Sequence, residues 1–367
     1  MLITISGLGV SSMSNVLRIL ITGAGAPGIK GTMFALKNNP DKTSIYTVGV
    51  DIDDQAVGRY FVDNFYKVPR PEDDAYLEKL CQICDIEDID LIIPQTTREL
   101  SVLSRGEDSF TDLGIKVMVS DPQVIDMANN KLKLLQMFHS LGLPHPEYHL
   151  VTNCEELISA VSSLDYPKQE VVVKPPVSNG MRGLRILKEC AWNVDRFLSE
   201  KPNGVEISLE ELIQILERGE KWPELIVTEY LPGVEYSVDA FRGKTIQVAI
   251  PRVRDKILNG ISFANTIELR DDVIEYTLVA SEHLNLLYTF GFQFKLDSYG
   301  IPKLLECNPR VQGTMVASVF SGVNVIWLGV KEALGEEIKE LPPLRQPVYF
   351  RRVWAGVGIV DGKSVEI

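Results

Sequence analysis

The chain has 367 residues, too many for one small domain and enough for two or three modules. Its 45% hydrophobic and 24% charged content is that of an ordinary globular protein, and no apolar run approaches the roughly 20 residues of a membrane span. A formal charge of −13, from 50 acidic against 37 basic residues, argues against a general nucleic-acid or anionic-membrane binder, because those surfaces attract basic proteins.

Residues 1–15 are expected to form a flexible extension. The first basic residue is Arg18, so no positively charged leader is expected and a cytoplasmic location is. The cysteines, Cys81, Cys84, Cys154, Cys190 and Cys307, are scattered and odd in number, which suits free thiols in a reducing compartment. Cys81 and Cys84 fall on one face of an expected helix over Tyr76–Cys84, with Leu77 and Leu80. Buried apolar positions explain them better than a redox or zinc pair.

The first third alternates strands and helices. Val16–Thr22, Tyr46–Asp51, Ile89–Pro94 and Ile115–Ser120 read as strands buried on both faces, which belong to a parallel sheet. The first runs into Gly23-x-Gly25-x-x-Gly28 and a helix to about Lys37, and Asp51 ends the next. Spacing and context match the dinucleotide-binding pattern, so an NAD(P)-dependent oxidoreductase is one reading. The pattern mainly specifies a tight turn that a ligand can approach closely, and Ile29 between Gly28 and Lys30 spoils a phosphate-loop match.

Asp126–Leu141 is expected as one helix, ended by Gly142-Leu-Pro-His-Pro146. Beyond it, Val171–Lys174, Gly183–Leu187, Leu225–Leu231, Tyr236–Phe241 and Thr245–Ile250 read as strands of antiparallel sheets, with helices at Leu209–Arg218 and Asp272–Phe290 between them. A hairpin follows: Gly291–Leu296, a turn at Asp297–Gly300, then Pro302–Cys307. The tail adds strand-like segments at Val348–Val353 and Gly356–Val360.

That hairpin carries the chemistry. Glu306 and Asn308 are two apart in a strand and share a face, and the tight turn sets Gln293 across from them. Three oxygen-bearing side chains on one patch suit a hard cation such as Mg2+. Arg310 follows as a planar fork for phosphate or carboxylate. Lys174 ends a strongly apolar strand, where a lysine usually has an anionic partner. Residues 178–183 (Ser-Asn-Gly-Met-Arg-Gly) form a loop fit to close over phosphates. In Thr228–Glu235 the backbones of Tyr230 and Leu231 could meet an adenine edge, and Glu235 a ribose. Asp297 is a weaker ligand candidate because it falls in the turn. Arg252 and Arg254 are candidates for a carboxylate or γ-phosphate, a solvated basic hairpin being the alternative.

In this order the segments resemble the ATP-grasp superfamily from about Val16 to Arg310, and within it one ATP-grasp half of the carbamoyl-phosphate synthase large subunit. The resemblance implies an α/β and α+β chain: a parallel-sheet N-terminal domain (16–125), a central lid-bearing domain (126–228) and a C-terminal domain with a mixed or antiparallel sheet (229–367). It implies ATP and Mg2+, with Mn2+ admissible, and an acyl-phosphate route from a small carboxylate to an amine adduct. By it Lys131 and Lys174 would bind phosphates, with Ser178, Gly180 and Gly183 in the lid. Glu229, Tyr230 and Leu231 would line adenine, and Glu235 the ribose. Gln293, Glu306 and Asn308 would hold the metal, with Arg310, Arg254 and Lys174 catalytic. Gln95-Thr-Thr-Arg-Glu99 and the glycine turn would face substrate. Neither a nucleic-acid nor a membrane partner is implied, and a homodimer is the assembly to test. With only one such unit, complete carbamoyl-phosphate synthesis is not expected; a non-catalytic nucleotide sensor is the remaining alternative.

Overall fold

The computed structural model describes residues 16–178, 180–189, 194–201, 204–258, 260–360 and 363–366. The expected extension at 1–15, Cys190 and the lid residue Asn179 lie outside them.

The first sheet takes strands β1 (Leu17–Ile21), β2 (Ile45–Asp51), β3 (Asn64–Lys67), β4 (Leu91–Ile93) and β5 (Lys116–Val117), in the order β3-β2-β1-β4-β5, all parallel. Ile19, Leu20 and Ile21 are each 0% exposed, as a strand covered on both faces requires. Around it lie helices α1 (Ile29–Lys37), α2 (Ala75–Ile86), α3 (Thr97–Arg105) and α4 (Glu107–Thr111). Cys84 packs in this core beside Leu80 and Ile83, and burial pushes its thiol up to about 12, which leaves it a poor nucleophile. Helix α3 starts at a capping box, in which Thr96 accepts from the third-residue amide and Glu99 returns a bond.

The expected helix Asp126–Leu141 is two: α5 (Pro122–Ala128) and α6 (Lys131–Ser140). Asn130 breaks it, because its side chain accepts the Lys133 amide and caps the second helix. The second sheet has β6 (Tyr148–Val151), β7 (Val171–Lys174), β8 (Arg185–Leu187), β9 (Glu206–Ile207) and β10 (Leu225–Glu229), in the order β6-β10-β7-β8-β9. It is mixed, β8–β9 being parallel. With α7 (Cys154–Ser163) and α9 (Leu209–Glu217) it encloses a separate core, built from Leu157, Val171, Val173, Leu187, Leu212 and Val227, while α8 (Val194–Ser199) buries no residue.

The third sheet is antiparallel throughout, ordered β15-β14-β11-β12-β13-β16 from β11 (Glu235–Arg242), β12 (Gln247–Leu258), β13 (Ile261–Ile267), β14 (Tyr288–Leu296), β15 (Pro302–Asn308) and β16 (Val348–Arg351). The strand expected over Thr245–Ile250 runs on to Leu258 in β12, so Arg252 and Arg254 are strand residues rather than a loop pair. The helix expected to Phe290 stops at Leu284 in α10 (Asp271–Leu284), where Asn285 turns left-handed with φ 57°. One face of the sheet packs Tyr236, Val238, Phe290, Phe292 and Phe294 against α5, α6 and α10. Burying each large side chain stabilises by about 1.5–3 kcal/mol. The other face meets the first module, where Phe241, Ile250 and Ile267 pack with Ile19, Met33 and Trp327. Trp327 lies on α12 (Val325–Ala333), which follows the short α11 (Ala317–Phe320). A terminal hairpin, β17 (Val357–Val360) and β18 (Lys363–Glu366), closes the described chain.

Candidate active site

The face of the third sheet that meets the first module is apolar at one end and polar at the other. Directly opposed residues share a face, so Glu306, Gln293, Ser237 and Arg252 form one row across β15, β14, β11 and β12. Asn308 sits one step along, opposite Gly291. Asn308 Nδ2 donates to Glu306 Oε1 at 3.1 Å. Two lysines reach this row, one from α6 and one from the second sheet. Lys131, the first residue of α6, lies 3.6 Å from Glu306 and donates to the Ser178 carbonyl at 2.9 Å. Lys174, the last residue of β7, is 4% exposed. Burial and the Lys131 charge lower its ammonium to about 8, against the opposing pull of Glu306.

The other residues singled out fall around this centre. Arg310 is held by three bonds: to Thr97 Oγ1 at 3.0 Å, the Val311 carbonyl at 2.8 Å and Asn308 Oδ1 at 3.3 Å. It thereby ties the hairpin to the first turn of α3. Burial lowers its pKa, while Glu306 and Glu99 oppose the shift. Arg254 pairs with Glu235 and reaches Gln293 Oε1 at 3.4 Å. It also donates to Ser262 Oγ at 2.7 Å and the Gly260 carbonyl at 2.6 Å. Arg254 therefore braces Glu235 and Gln293 on the sheet face they share. In the loop after Lys174, Gly180, Met181 and Gly183 have φ of 61°, 62° and 76°. A Cβ at Gly260 would lie 3.0 Å from Met181 Sδ, so this loop touches the β12–β13 turn.

Three candidates sit differently from expectation. The Glu229 carboxylate is engaged in structure, its Oε1 accepting the Glu147 amide at 2.9 Å and the Lys303 ammonium at 2.6 Å, and its own amide donates to the Glu147 carbonyl at 3.1 Å. Beside it, Tyr230 lies under the Lys295 ammonium at 4.9 Å and Leu231 is 3% exposed. Asp297 closes its own turn, accepting the Tyr299 and Ile301 amides at 2.9 Å each, and is no free metal ligand. Arg252 is neither solvated nor free, being 1% exposed and bonded to Asp239 at 3.0 Å. Sequence reasoning also passed over Glu99 as an individual residue. Burial raises its carboxyl to about 7, and it accepts from Thr22 Oγ1 at 2.8 Å beside the glycine turn. The Thr96-x-x-Glu99 spacing could have marked it as a helix start.

The glycine turn closes on itself. Asp51, the carboxylate that a dinucleotide reading assigns to a ribose, accepts the Gly25 amide at 2.7 Å. A Cβ at Gly28 would lie 2.8 Å from the Cα of Gly313, so the start of α1 abuts the third module. The amide a pyrophosphate would use is thus occupied from within.

Two family models match the chain. One, described as ATP-grasp in the biosynthetic pathway with Ter operon, covers residues 221–354, and the other, described as PylC-like, N-terminal domain, covers 19–118. The carbamoyl phosphate synthase large chain of Clostridium acetobutylicum is 23% identical over 83% of this chain and 26% of that protein. The carbamoyl phosphate synthase large chain, C-terminal section, of Methanopyrus kandleri is 24% identical over 77% of this chain and 55% of that protein. The chain thus spans between 26% and 55% of these relatives' lengths. Among solved structures, N5-carboxyaminoimidazole synthetase from Staphylococcus aureus complexed with ADP superposes with a TM-score of 0.65, at 18% identity over 92% of this chain and 82% of that one. The biotin carboxylase domain dimer of Hydrogenobacter thermophilus 2-oxoglutarate carboxylase, with MgADP, ADP and bicarbonate, gives 0.68 at 17% identity over 95% and 83%.

Proposed function

This chain has the ATP-grasp fold, and we propose from it that the protein is an ATP- and Mg2+-dependent ligase. It activates a small carboxylate as an acyl phosphate for attack by an amine or similar nucleophile. The observation that carries this reading is the meeting of Lys131 and the buried Lys174 at Glu306, in cross-strand register with Gln293. Two cations against a single carboxylate leave room for polyphosphate charge. The proposal includes domains at 16–125, 126–228 and 229–367, a cytoplasmic location and a homodimer. No described helix is long and apolar enough to cross a membrane.

Gln293, Glu306 and Asn308 offer oxygen donors, as Mg2+ prefers, and each oxygen already faces a cation: Arg254, Lys131 and Arg310 respectively. With one carboxylate among them, nucleotide phosphates would complete the shell. The ion, when bound, supplies charge neutralisation during phosphoryl transfer. Lys131 and Lys174 bind phosphate oxygens, and the loop at 178–183 covers them. The Tyr230 and Leu231 backbones face the adenine, and Glu235, aimed by Arg254, the ribose. A substrate carboxylate oxygen attacks the γ-phosphorus, and ADP departs with the bridging oxygen. Arg310 steadies the resulting acyl phosphate. An amine nitrogen then attacks the acyl carbon, loses a proton and expels phosphate. The deciding experiment is phosphate release from ATP in the presence of pooled small acids and amines. Release that needs both an acid and an amine supports a ligase, and nucleotide binding without release supports a sensor.

Lys174→Ala should raise the KM for ATP with a smaller fall in kcat, because a charge beside the phosphates acts in ground and transition states alike. The ammonium, charged at pH 7, is lost as pH rises past about 8. Nucleotide affinity should therefore fall above that pH, and binding there should take up a proton as phosphate restores the ammonium. Calorimetry in buffers of differing ionisation enthalpy reads that uptake. Unchanged affinity in Lys174→Ala would make the residue structural.

The glycine turn distinguishes ligase from oxidoreductase. A Cβ at Gly25 would lie 2.9 Å from Asp51 Oδ2, so Gly25→Val crowds the turn. Activity should fall while ATP·Mg2+ affinity survives, and wild type should show no saturable NAD(P)H binding at sub-millimolar concentration. Tight NADH binding that Gly25→Val abolishes would overturn the ligase reading.

A further inference from the structure

At the far end of the polar row, three side chains have no part in holding phosphate or metal. Arg252 and Asn265 are 1% and 0% exposed. Arg252 spends its Nε on Asp239 at 3.0 Å, its Nη1 on Asn265 Oδ1 at 2.8 Å and its Nη2 on Gln312 Oε1 at 3.4 Å. The bond from Nη1 fixes which end of the Asn265 amide is oxygen. Asn265 Nδ2 is then a buried donor, and no described residue accepts from it.

Arg352 brings a second such donor. It follows the last residue of β16, and its amide bonds the Phe263 carbonyl at 2.7 Å. Asn265 pairs with Phe350, so Arg352, two residues on, lies on the same face. Its Nη1 and Nη2 donate to the carbonyls of Pro27 and Gly313, each at 2.9 Å, which leaves its Nε buried without an acceptor. Next to this guanidinium the Cβ position of Gly313 has nothing within 4 Å, so there is room. Unpaired buried donors are rare because each forfeits its hydration. Two of them in one cluster need a common reason. Charge supplies it: among the described residues the one carboxylate paired with either guanidinium is that of Asp239, and burial and the Arg252 charge both lower the Arg352 pKa.

We propose that Asn265 Nδ2 and Arg352 Nε are the donors of a carboxylate seat, which holds a second, non-reacting carboxylate of a ligase substrate, as in an elongated diacid. Two donors and one uncompensated positive charge suit a monoanion with two oxygens. A phosphate would call for more of each. Asn265 on β13 lies three strands from Gln293, and Arg352, just past β16, four: about 14 and 19 Å between backbones at the usual strand spacing. The seat is therefore too far from the metal ligands to hold the carboxylate being phosphorylated, and suits the far end of an elongated molecule. The identity of the occupant rests on the ligase reading; the anion preference does not.

Acetate and acetamide have the same shape and differ in charge, so they probe the seat directly. With MgADP present to fill the nucleotide site, acetate should raise the melting temperature of the full chain and acetamide should not. Arg352→Gln should abolish the difference. Asn265→Asp, which supplies a carboxylate of its own, should abolish it too. In turnover, either change should raise the KM for the stimulating acid at least about tenfold, with the KM for ATP within about twofold. Equal effects of acetate and acetamide, or a difference that survives in both variants, would overturn the seat. Inorganic phosphate outperforming acetate through the same two residues would overturn its assignment to carboxylate. An acetate response without ATP turnover on any acid and amine would sink the ligase reading and leave the seat standing. Turnover with no acetate response does the reverse.

Discussion

Glu306→Gln is expected to keep the fold and lose turnover by on the order of a hundredfold or more in kcat. The change preserves shape and removes one negative charge, the only carboxylate among Gln293, Glu306 and Asn308. The amide oxygen can still accept the Asn308 Nδ2 bond now made to Glu306 at 3.1 Å, so the hairpin end should hold. What disappears is the attraction for Lys131, 3.6 Å away, and for Mg2+. Lys174, for which Glu306 is the opposing acidic influence, should become easier to deprotonate. ATP should bind weakly, because both lysines remain. Phosphate release at saturating magnesium, with thermal melting as the control for folding, checks this. Near-normal turnover under those conditions would remove Glu306 from the metal site.

Much of the site's frame was readable in the chain because local rules fixed it. The strand period puts Glu306 and Asn308 on one face, but the turn alone would set Gln293 opposite Leu305: Leu296 pairs with Pro302 and Phe294 with Leu304, and a bulge between Gln293 and Phe294 then shifts the ladder by one. Gln293 is thereby the cross-strand partner of Glu306. Consecutive apolar residues in β1 likewise announced a strand buried on both sides. Long-range registers were not readable. Pro251-Arg-Val-Arg looks like an exposed basic hairpin because charge is exposed by default. Only the pairing of β11 with β12 shows that Arg252 faces inward and meets Asp239, thirteen residues upstream. Arg352 is further from prediction, since the tail must return along β13 before its guanidinium reaches Pro27. The split of Asp126–Leu141 was legible in principle: Asn129-Asn130 precedes Lys131, and asparagine is a favoured cap. Helical periodicity on both sides outweighed it.

Arg310→Lys is the sharper test of the transferring end of the site, since it keeps the charge and changes only how it is presented. The guanidinium has three anchors, Thr97 Oγ1, the Val311 carbonyl and Asn308 Oδ1, so its fork is fixed before any ligand arrives. Such pre-organised donors stabilise a charge that develops only during reaction. Losing one costs about 100- to 1,000-fold in kcat in comparable oxyanion sites. Lysine is a point charge on a flexible stem and cannot hold two anchors while facing a phosphoryl group. The expected result is a fall in kcat of on the order of a hundredfold with the KM for ATP within a few-fold, because Lys131 and Lys174 still hold the phosphates. Thr97→Ala separates this role from a purely structural one. It removes a single anchor and breaks the side-chain link between Arg310 and α3 while leaving the guanidinium in place. If Arg310 only joins the first and third modules, both variants should lose stability together and Thr97→Ala should match the loss of turnover. If Arg310 steadies the acyl phosphate, Thr97→Ala should lose far less, and a kcat for Arg310→Lys within about threefold of wild type would end that assignment.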